Sequence, residues 1–406
     1  RRGLELLIRL PDAPERAQQE LLLQTSLAVG LSATEGYGAT EVEKAYRRAR
    51  ELCQQSGSNL QLSPVLWGLW RFYLIRSDLK VARELSQHLL ELAESGQDAA
   101  LMVEAHLAAG GTFDNTGDFA LAREHFERGI SLYDPEQQQI YLSLYGHDPS
   151  VVHRCFNAWA LWSLGYPGHA LEAASKAVSL AEELRHPETQ CFALFFAAWT
   201  HQLRRESEKT LKHAEAAIEL ANKNGIAQWI AFSSSLHGWA LAEQGCVSEG
   251  IEQMRQTLAL YRAIGSEISR PHFLGLLAEA LMKNSEIDEA LHALTEALAV
   301  ADSTGQRYYQ SELYRLKGEL LLSQAANADQ AEECFHQAIE LARRQKARSF
   351  ELRATMSVGR LWQNNNGREE ARRMLAELLG SFTEGFDTPD LKEAKSLLDE
   401  LSHQLE

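Results

Sequence analysis

The hydrophobic and polar positions of this chain fall into long amphipathic stretches that recur in pairs, each with the spacing of an α-helix. The second stretch of a pair carries a small residue, an apolar one four positions on, and a small one three further. Ala122, Phe126 and Gly129 show it, as do Ala290, Leu294 and Ala297, and Ala331, Phe335 and Ala338. The first of these positions recurs at 42, 82, 122, 170, 210, 250, 290, 331 and 371, so most steps are 40 residues, one is 41 and one is 48. Twelve residues earlier stands another small residue: Gly110, Ala158, Ala198, Gly238, Ala278 and Gly359, with Gly318 displaced by one in the eighth unit. A glycine or alanine there lets the two helices of a unit cross closely. The second unit has Trp70 instead, which predicts a different register or packing.

The turns share the period. Gly225, Gly265 and Gly305 each follow a helical stretch, where a residue of positive φ ends a helix. Pro149, Pro187 and Pro271 open helices, and Asp118 and Asp148 are placed as N-caps. Helix pairs of fixed length are the signature of a repeat solenoid. The small–apolar–small spacing favours the tetratricopeptide (TPR) type over HEAT, with units about six residues longer than the usual 34 or so. The expected fold is therefore all-α, a right-handed α-solenoid of about nine TPR-like helix pairs across residues 1–406. The 48-residue step marks an insertion at 134–147, and residues 388–406 read as a capping helix. Leu4, Leu7, Ile8 and Leu10 form an apolar stripe with no partner before it, and no initiator Met is present. We expect residues 1–10 to end a preceding helix, and the chain to be the C-terminal part of a larger protein.

Composition narrows the function. The net charge is −16, spread along helix surfaces, with no basic stripe of the kind nucleic-acid binding requires. No apolar run is long enough to span a membrane. The five cysteines are far apart and form no CxxC pair, which fits a reducing cytoplasm. No phosphate-binding glycine loop, HExxH or GxSxG occurs, and His147, His153 and Cys155 read as surface or core residues. No catalysis and no cofactor are expected of this chain.

Aromatic placement carries the binding hypothesis. Counted from the crossing residue, the first-helix positions that face a concave groove hold Val152, Cys155, Trp159 and Trp162 in the fourth unit. The next two units place Phe192, Phe195 and Trp199, then Phe232 and Trp239. The second unit offers Trp67 and Arg71. In the last two units the equivalents are Glu312, Arg315, Glu319, Arg353, Met356 and Arg360, so the groove should be aromatic in the middle and charged towards the C-terminus. Core packing of these rings is the competing reading. A protein, peptide or small-molecule effector is the partner such a groove suits.

Several segments resemble a known family: Leu66–Asp98, YGHDPSVV (Tyr145–Val152), ALFFAAWTHQLRRE (Ala193–Glu206), ELYRLKGELLL (Glu312–Leu322) and Phe382–Leu401. They are similar to the C-terminal TPR region of bacterial signalling proteins that join a nucleotide-cyclase or kinase domain to a STAND/AAA-type ATPase. In the maltose-activator type, a TPR superhelix receives an inducer and releases the ATPase. The resemblance implies a regulatory module whose ATPase or cyclase lies outside this sequence. The alternative is an assembly scaffold that holds subunits together.

Overall fold

The computed structural model describes residues 2–7, 11, 14–56, 59–324, 327–363 and 367–403. Ile8, Leu10 and the last three residues, 404–406, lie outside the described residues. A short α1 (Arg2–Leu7) precedes three pairs: α2 (Pro14–Glu35) with α3 (Thr40–Ser56), α4 (Asn59–Ile75) with α5 (Leu79–Gly96), and α6 (Ala99–Thr116) with α7 (Phe119–Leu132). A 3-10 turn (Pro135–Gln137) and α8 (Gln138–Tyr145) occupy the insertion. Six pairs follow: α9 (Pro149–Ser163) with α10 (Pro167–Leu184), α11 (Pro187–Leu203) with α12 (Ser207–Asn224), and α13 (Ala227–Glu243) with α14 (Val247–Ala263). Then come α15 (Arg270–Lys283) with α16 (Ile287–Thr304), α17 (Gln310–Ser323) with α18 (Ala328–Gln345), and α19 (Arg348–Trp362) with α20 (Arg368–Gly380). Helix α21 (Pro389–His403) packs on α19 and α20. The described residues thus form a TPR-like α-solenoid of nine helix pairs. No helix among them is long and apolar enough to cross a membrane.

The repeat positions do what their chemistry requires. All nine residues of the 42-to-371 series are buried. A Cβ added at Gly110 would lie 2.5 Å from the Phe126 ring, and one at Gly238 would lie 2.9 Å from the Gly250 carbonyl oxygen. Gly318 likewise makes room for Phe335. In the second unit the close approach moves to Gly68, which receives the Tyr46 ring of the preceding pair. Trp70 instead reaches forward over Gly111, its indole N–H donating to Thr112 Oγ1 at 3.0 Å. Asp148 caps α9 by accepting from Ser150 N and Val151 N. Asp118 makes no such cap bond and instead accepts from the Thr116 hydroxyl.

First and second helices differ in what covers them. Second helices are buried along one stripe, such as Ala170, Ala174, Ala177 and Ala181 in α10. In α9 every residue but Arg154 is buried. A helix buried all round must be enclosed on every side, and the coil itself supplies the missing wall. Many contacts join residues 185 to 193 positions apart, close to five units of the repeat, and one joins residues 150 apart. The final carbonyls of first helices have no partner within the helix. Here a later unit takes them. Ile75 O accepts from Glu267 N (2.9 Å) and Ile268 N (3.0 Å), and Asn115 O accepts from Arg307 N (3.0 Å). Trp162 O accepts from Ser349 Oγ (2.5 Å), and Leu203 O accepts from Arg353 Nη2 (2.6 Å). One coil turn is thus laced to the next along a seam.

Candidate ligand-binding interior

The winding decides where the aromatic positions go. Trp67, Arg71, Val152, Trp159, Phe192, Phe195, Trp199 and Phe232 line one narrow cavity of about 80 Å³ inside the coil. Its walls are close-packed rings. Trp159 lies 4.6 Å from Trp199 and meets Tyr308, from a later unit, edge-on at 4.4 Å. Trp199 meets His272 at 4.9 Å, and Phe232 stacks on Tyr261 at 4.7 Å. The rings face a common interior, and the next coil turn covers them.

This interior is short of hydrogen-bond acceptors. Among the described residues, the indole N–H groups of Trp67, Trp159 and Trp199 are buried without a hydrogen-bond partner, and so are Gln228 Nε2 and Asn115 Oδ1. All five residues line the same cavity. A buried donor left unpaired costs about 1–3 kcal/mol. With His147 Nε2 set aside because it lies 3.3 Å from the Glu104 carboxylate, four donors against one acceptor suit an occupant rich in carbonyl or carboxylate oxygen. At one rim, Glu188 Oε1 accepts from the Tyr37 hydroxyl (2.5 Å) and from Trp229 Nε1 (2.9 Å), and it pairs with Arg71 at 3.5 Å. The Arg71 guanidinium lies 3.3 Å above the Tyr37 ring, and burial pushes the Tyr37 phenol well up. This node ties α4 and α11 to the α2–α3 turn and α13.

The insertion closes the same end. Tyr145 packs edge-on against Trp67 at 5.5 Å, and His147 stacks on Trp67 at 4.9 Å. Tyr141 is buried, while Ile140 and Leu144 face outward.

Trp239, Glu312, Arg315, Glu319, Arg353, Met356 and Arg360 line a second, open cleft of about 400 Å³ towards the C-terminus. Five cations (Arg205, Lys283, Arg315, Arg353, Arg360) face five carboxylates (Glu279, Glu312, Glu319, Asp390, Glu393). Arg315 grips Glu312 through two hydrogen bonds of 2.8 and 3.0 Å, and Arg353 pairs with Asp390 at 2.9 Å. Burial pushes the Glu312 carboxyl up, but Arg315 and Arg353 outweigh it and hold the group at about 2. Glu279 goes the other way: burial and nearby Glu243 raise it, although Trp239 Nε1 donates to it at 2.9 Å.

Trp162 and Cys155 line neither space. Trp162 packs on Phe350 at 5.0 Å beneath the Arg353 guanidinium at 4.9 Å, and Cys155 is buried. His153 is also buried, with its Nε2 bound to Val103 O. The sequence reading does not single out Glu279, yet it directly follows the crossing residue Ala278, as Trp239 follows Gly238. The repeat rule therefore reaches it. Tyr37, Glu188 and Tyr308 carry no such signal, because each is placed in the interior by at least one partner several units away: Tyr37 and Glu188 by each other, Tyr308 by Trp159.

No protein-family model matches the chain, and no curated protein matches it. Solved structures do match in fold. The crystal structure of a Rap protein complexed with competence and sporulation factor shares 15% identity, covers 94% of this chain and 99% of its own, and gives a TM-score of 0.61. NprR in complex with its cognate peptide NprX shares 14% identity over 95% of this chain and 99% of its own, with a TM-score of 0.54. The Cut9–Hcn1 hetero-tetramer structure shares 12% identity, covers 99% of this chain and 66% of its own, and gives a TM-score of 0.57. These similarities place the chain among TPR-like helical repeat structures.

Proposed function

We propose that this chain is the sensor part of a signalling protein and takes a short extended peptide into the aromatic interior of its coil. The carrying observation is the set of unpaired buried donors, Trp67, Trp159, Trp199 and Gln228, on one aromatic wall. A peptide backbone offers carbonyl oxygens to those donors, and its apolar side chains match the rings. The two similar structures described with a bound peptide or factor, Rap and NprR, support a peptide over a metabolite. A cavity of about 80 Å³ holds two or three waters by volume. Peptide entry therefore requires the covering turn to move. Such a ligand favours a wider coil, and that difference in affinity is the signal. By the sequence resemblance, the recipient is a STAND/AAA-type ATPase domain on the N-terminal side.

The test is selection of a random heptapeptide library against the chain. Trp159→Phe and Trp199→Phe together keep an aromatic ring at each position and remove both N–H groups. Enriched peptides that lose about tenfold or more in affinity for this variant support the reading. Enriched peptides that bind both proteins equally well put the site elsewhere, and no enrichment removes the peptide altogether. A second reading, assembly scaffold, is favoured by Leu6, Leu22 and Val29 on α1 and α2, all exposed. Its test is a concentration-dependent dimer in sedimentation that Leu22→Glu abolishes.

A further inference from the structure

A cleft of about 800 Å³ lies on the outside of the coil, where α7 and the α9–α10 turn meet the α18–α19 turn of a later unit. Its charge departs from that of the chain. Four cations line it (Arg123, Arg128, Lys346 and Arg348) against two carboxylates, Glu124 and Glu127, in a protein of net charge −16. In the C-terminal cleft every cation has a carboxylate partner. Here, among the described residues, Arg123 alone has one, Glu127 at 2.7 Å. Among the described residues Arg128 and Lys346 have none, and the Arg348 guanidinium donates only to the Ser381 carbonyl at 3.4 Å.

The cleft is built by the seam. Gly165, at φ +91°, admits Arg348: a Cβ at 165 would lie 2.9 Å from the Arg348 Cβ. Gly117, at φ +84°, admits Gln345, whose amide donates to the Arg307 carbonyl at 2.8 Å. Arg123 and Arg128 thus come from the third unit, Lys346 from the turn before the ninth and Arg348 from the first residue of α19. Like charges facing each other across a contact repel unless an anion lies between them. The floor adds a neutral donor. His106 and His125 share one hydrogen bond, Nδ1 to Nδ1 at 2.9 Å. With one proton between those two atoms, two neutral rings leave one Nε2–H free to donate. Burial, together with His125 and Arg128, pulls His106 down to about 4, and burial lowers His125 as well.

We propose that this cleft binds a compact polyanion carrying several phosphate groups, held by Arg128 and Lys346 from opposite coil turns with Arg123 and Arg348 beside them. Guanidinium groups match phosphate oxygens in pairs, and an ammonium supplies a point charge. Because its walls come from two turns, the ligand binds only the closed coil and opposes any ligand that widens it. A nucleoside triphosphate and a free polyphosphate share this chemistry.

The experiment is calorimetric titration of the full chain with sodium tripolyphosphate at about 0.15 M salt, with ATP in a parallel arm. Arg128→Gln with Lys346→Gln is the test variant, and both residues are exposed. Lys176→Gln with Lys212→Gln removes the same charge from other exposed positions and is the control. The expected result is saturable binding to the wild type, weakened about tenfold or more in the test variant and unchanged in the control. Tighter binding of ATP than of tripolyphosphate assigns a nucleotide, and the reverse assigns free polyphosphate. No saturable binding of either up to about 1 mM, or an equal loss in both variants, overturns the proposal. Thermal denaturation of each variant without ligand verifies that it is folded.

Discussion

Asp114 stands in the last turn of α6, fully buried, with neither carboxyl oxygen bonded among the described residues. Burial raises its carboxyl well above the ordinary 3.8, so the folded chain keeps a proton that the unfolded chain releases. The linkage sign follows. Below the unfolded value both states are protonated and Asp114 costs nothing extra. As pH rises through that value, stability falls by about 1.4 kcal/mol per unit until the folded group also ionises. Asp114→Asn should therefore raise the melting temperature at about pH 7 and have little effect near pH 3.8. Thermal denaturation of both proteins across that range measures it. Position 114 was legible as part of an apolar-flanked helix. Its burial was not, because α6 gains its outer wall from the residues around Arg307 in a later unit.

At the scale of elements, the turn glycines serve two purposes that a matched pair separates. Gly225 and Gly265 both have φ +69°, and the 40-residue spacing points to both. A Cβ at Gly225 meets nothing within 4 Å, whereas one at Gly265 would lie 2.6 Å from the Gly38 carbonyl oxygen of an earlier coil turn. Gly225→Ala should cost about 1–2 kcal/mol, the penalty for a left-handed residue with a side chain. Gly265→Ala should cost that and about 1–3 kcal/mol more, because the seam must shift to admit the methyl group. Urea denaturation of the two variants reads the difference directly, and equal losses would mean that the seam does not hold in solution.

For the whole molecule, the charged cleft fastens the C-terminal end of the coil. Glu312 on α17 binds Arg353 on α19 at 3.5 Å, and Arg353 reaches back to the Leu203 carbonyl at the end of α11. Glu312 titrates at about 2 in the fold against an ordinary 4.5. Its stabilisation is therefore complete above 4.5 and is lost as pH falls towards 2. Small-angle scattering should show the coil expanding in that window before its helices melt. Glu312→Gln should be expanded already at about pH 6 and lose the pH dependence. If the compact dimensions of Glu312→Gln match those of the wild type, the seam does not depend on this ion pair.

The local chemistry of the chain determined the helix pairs, their period and their crossings. A small residue is demanded wherever two helices of a unit cross closely, and Ala122, Gly110 and Gly238 record that demand, while Gly305 records the positive φ that ends a helix. The same counting assigned Trp159, Trp199 and Trp239 to the inner wall and Arg315, Arg353 and Arg360 to the charged end, since helix phase repeats with the unit. The pitch of the coil is not written in any one unit. It is the sum of small rotations between neighbours, so only the assembled stack decides that Trp159 meets Tyr308, that Gly38 meets Gly265, and that Lys346 faces Arg128 across a cleft. Whether the aromatic wall is an open groove or a covered interior depends on that accumulated rotation, and tertiary structure alone supplies it.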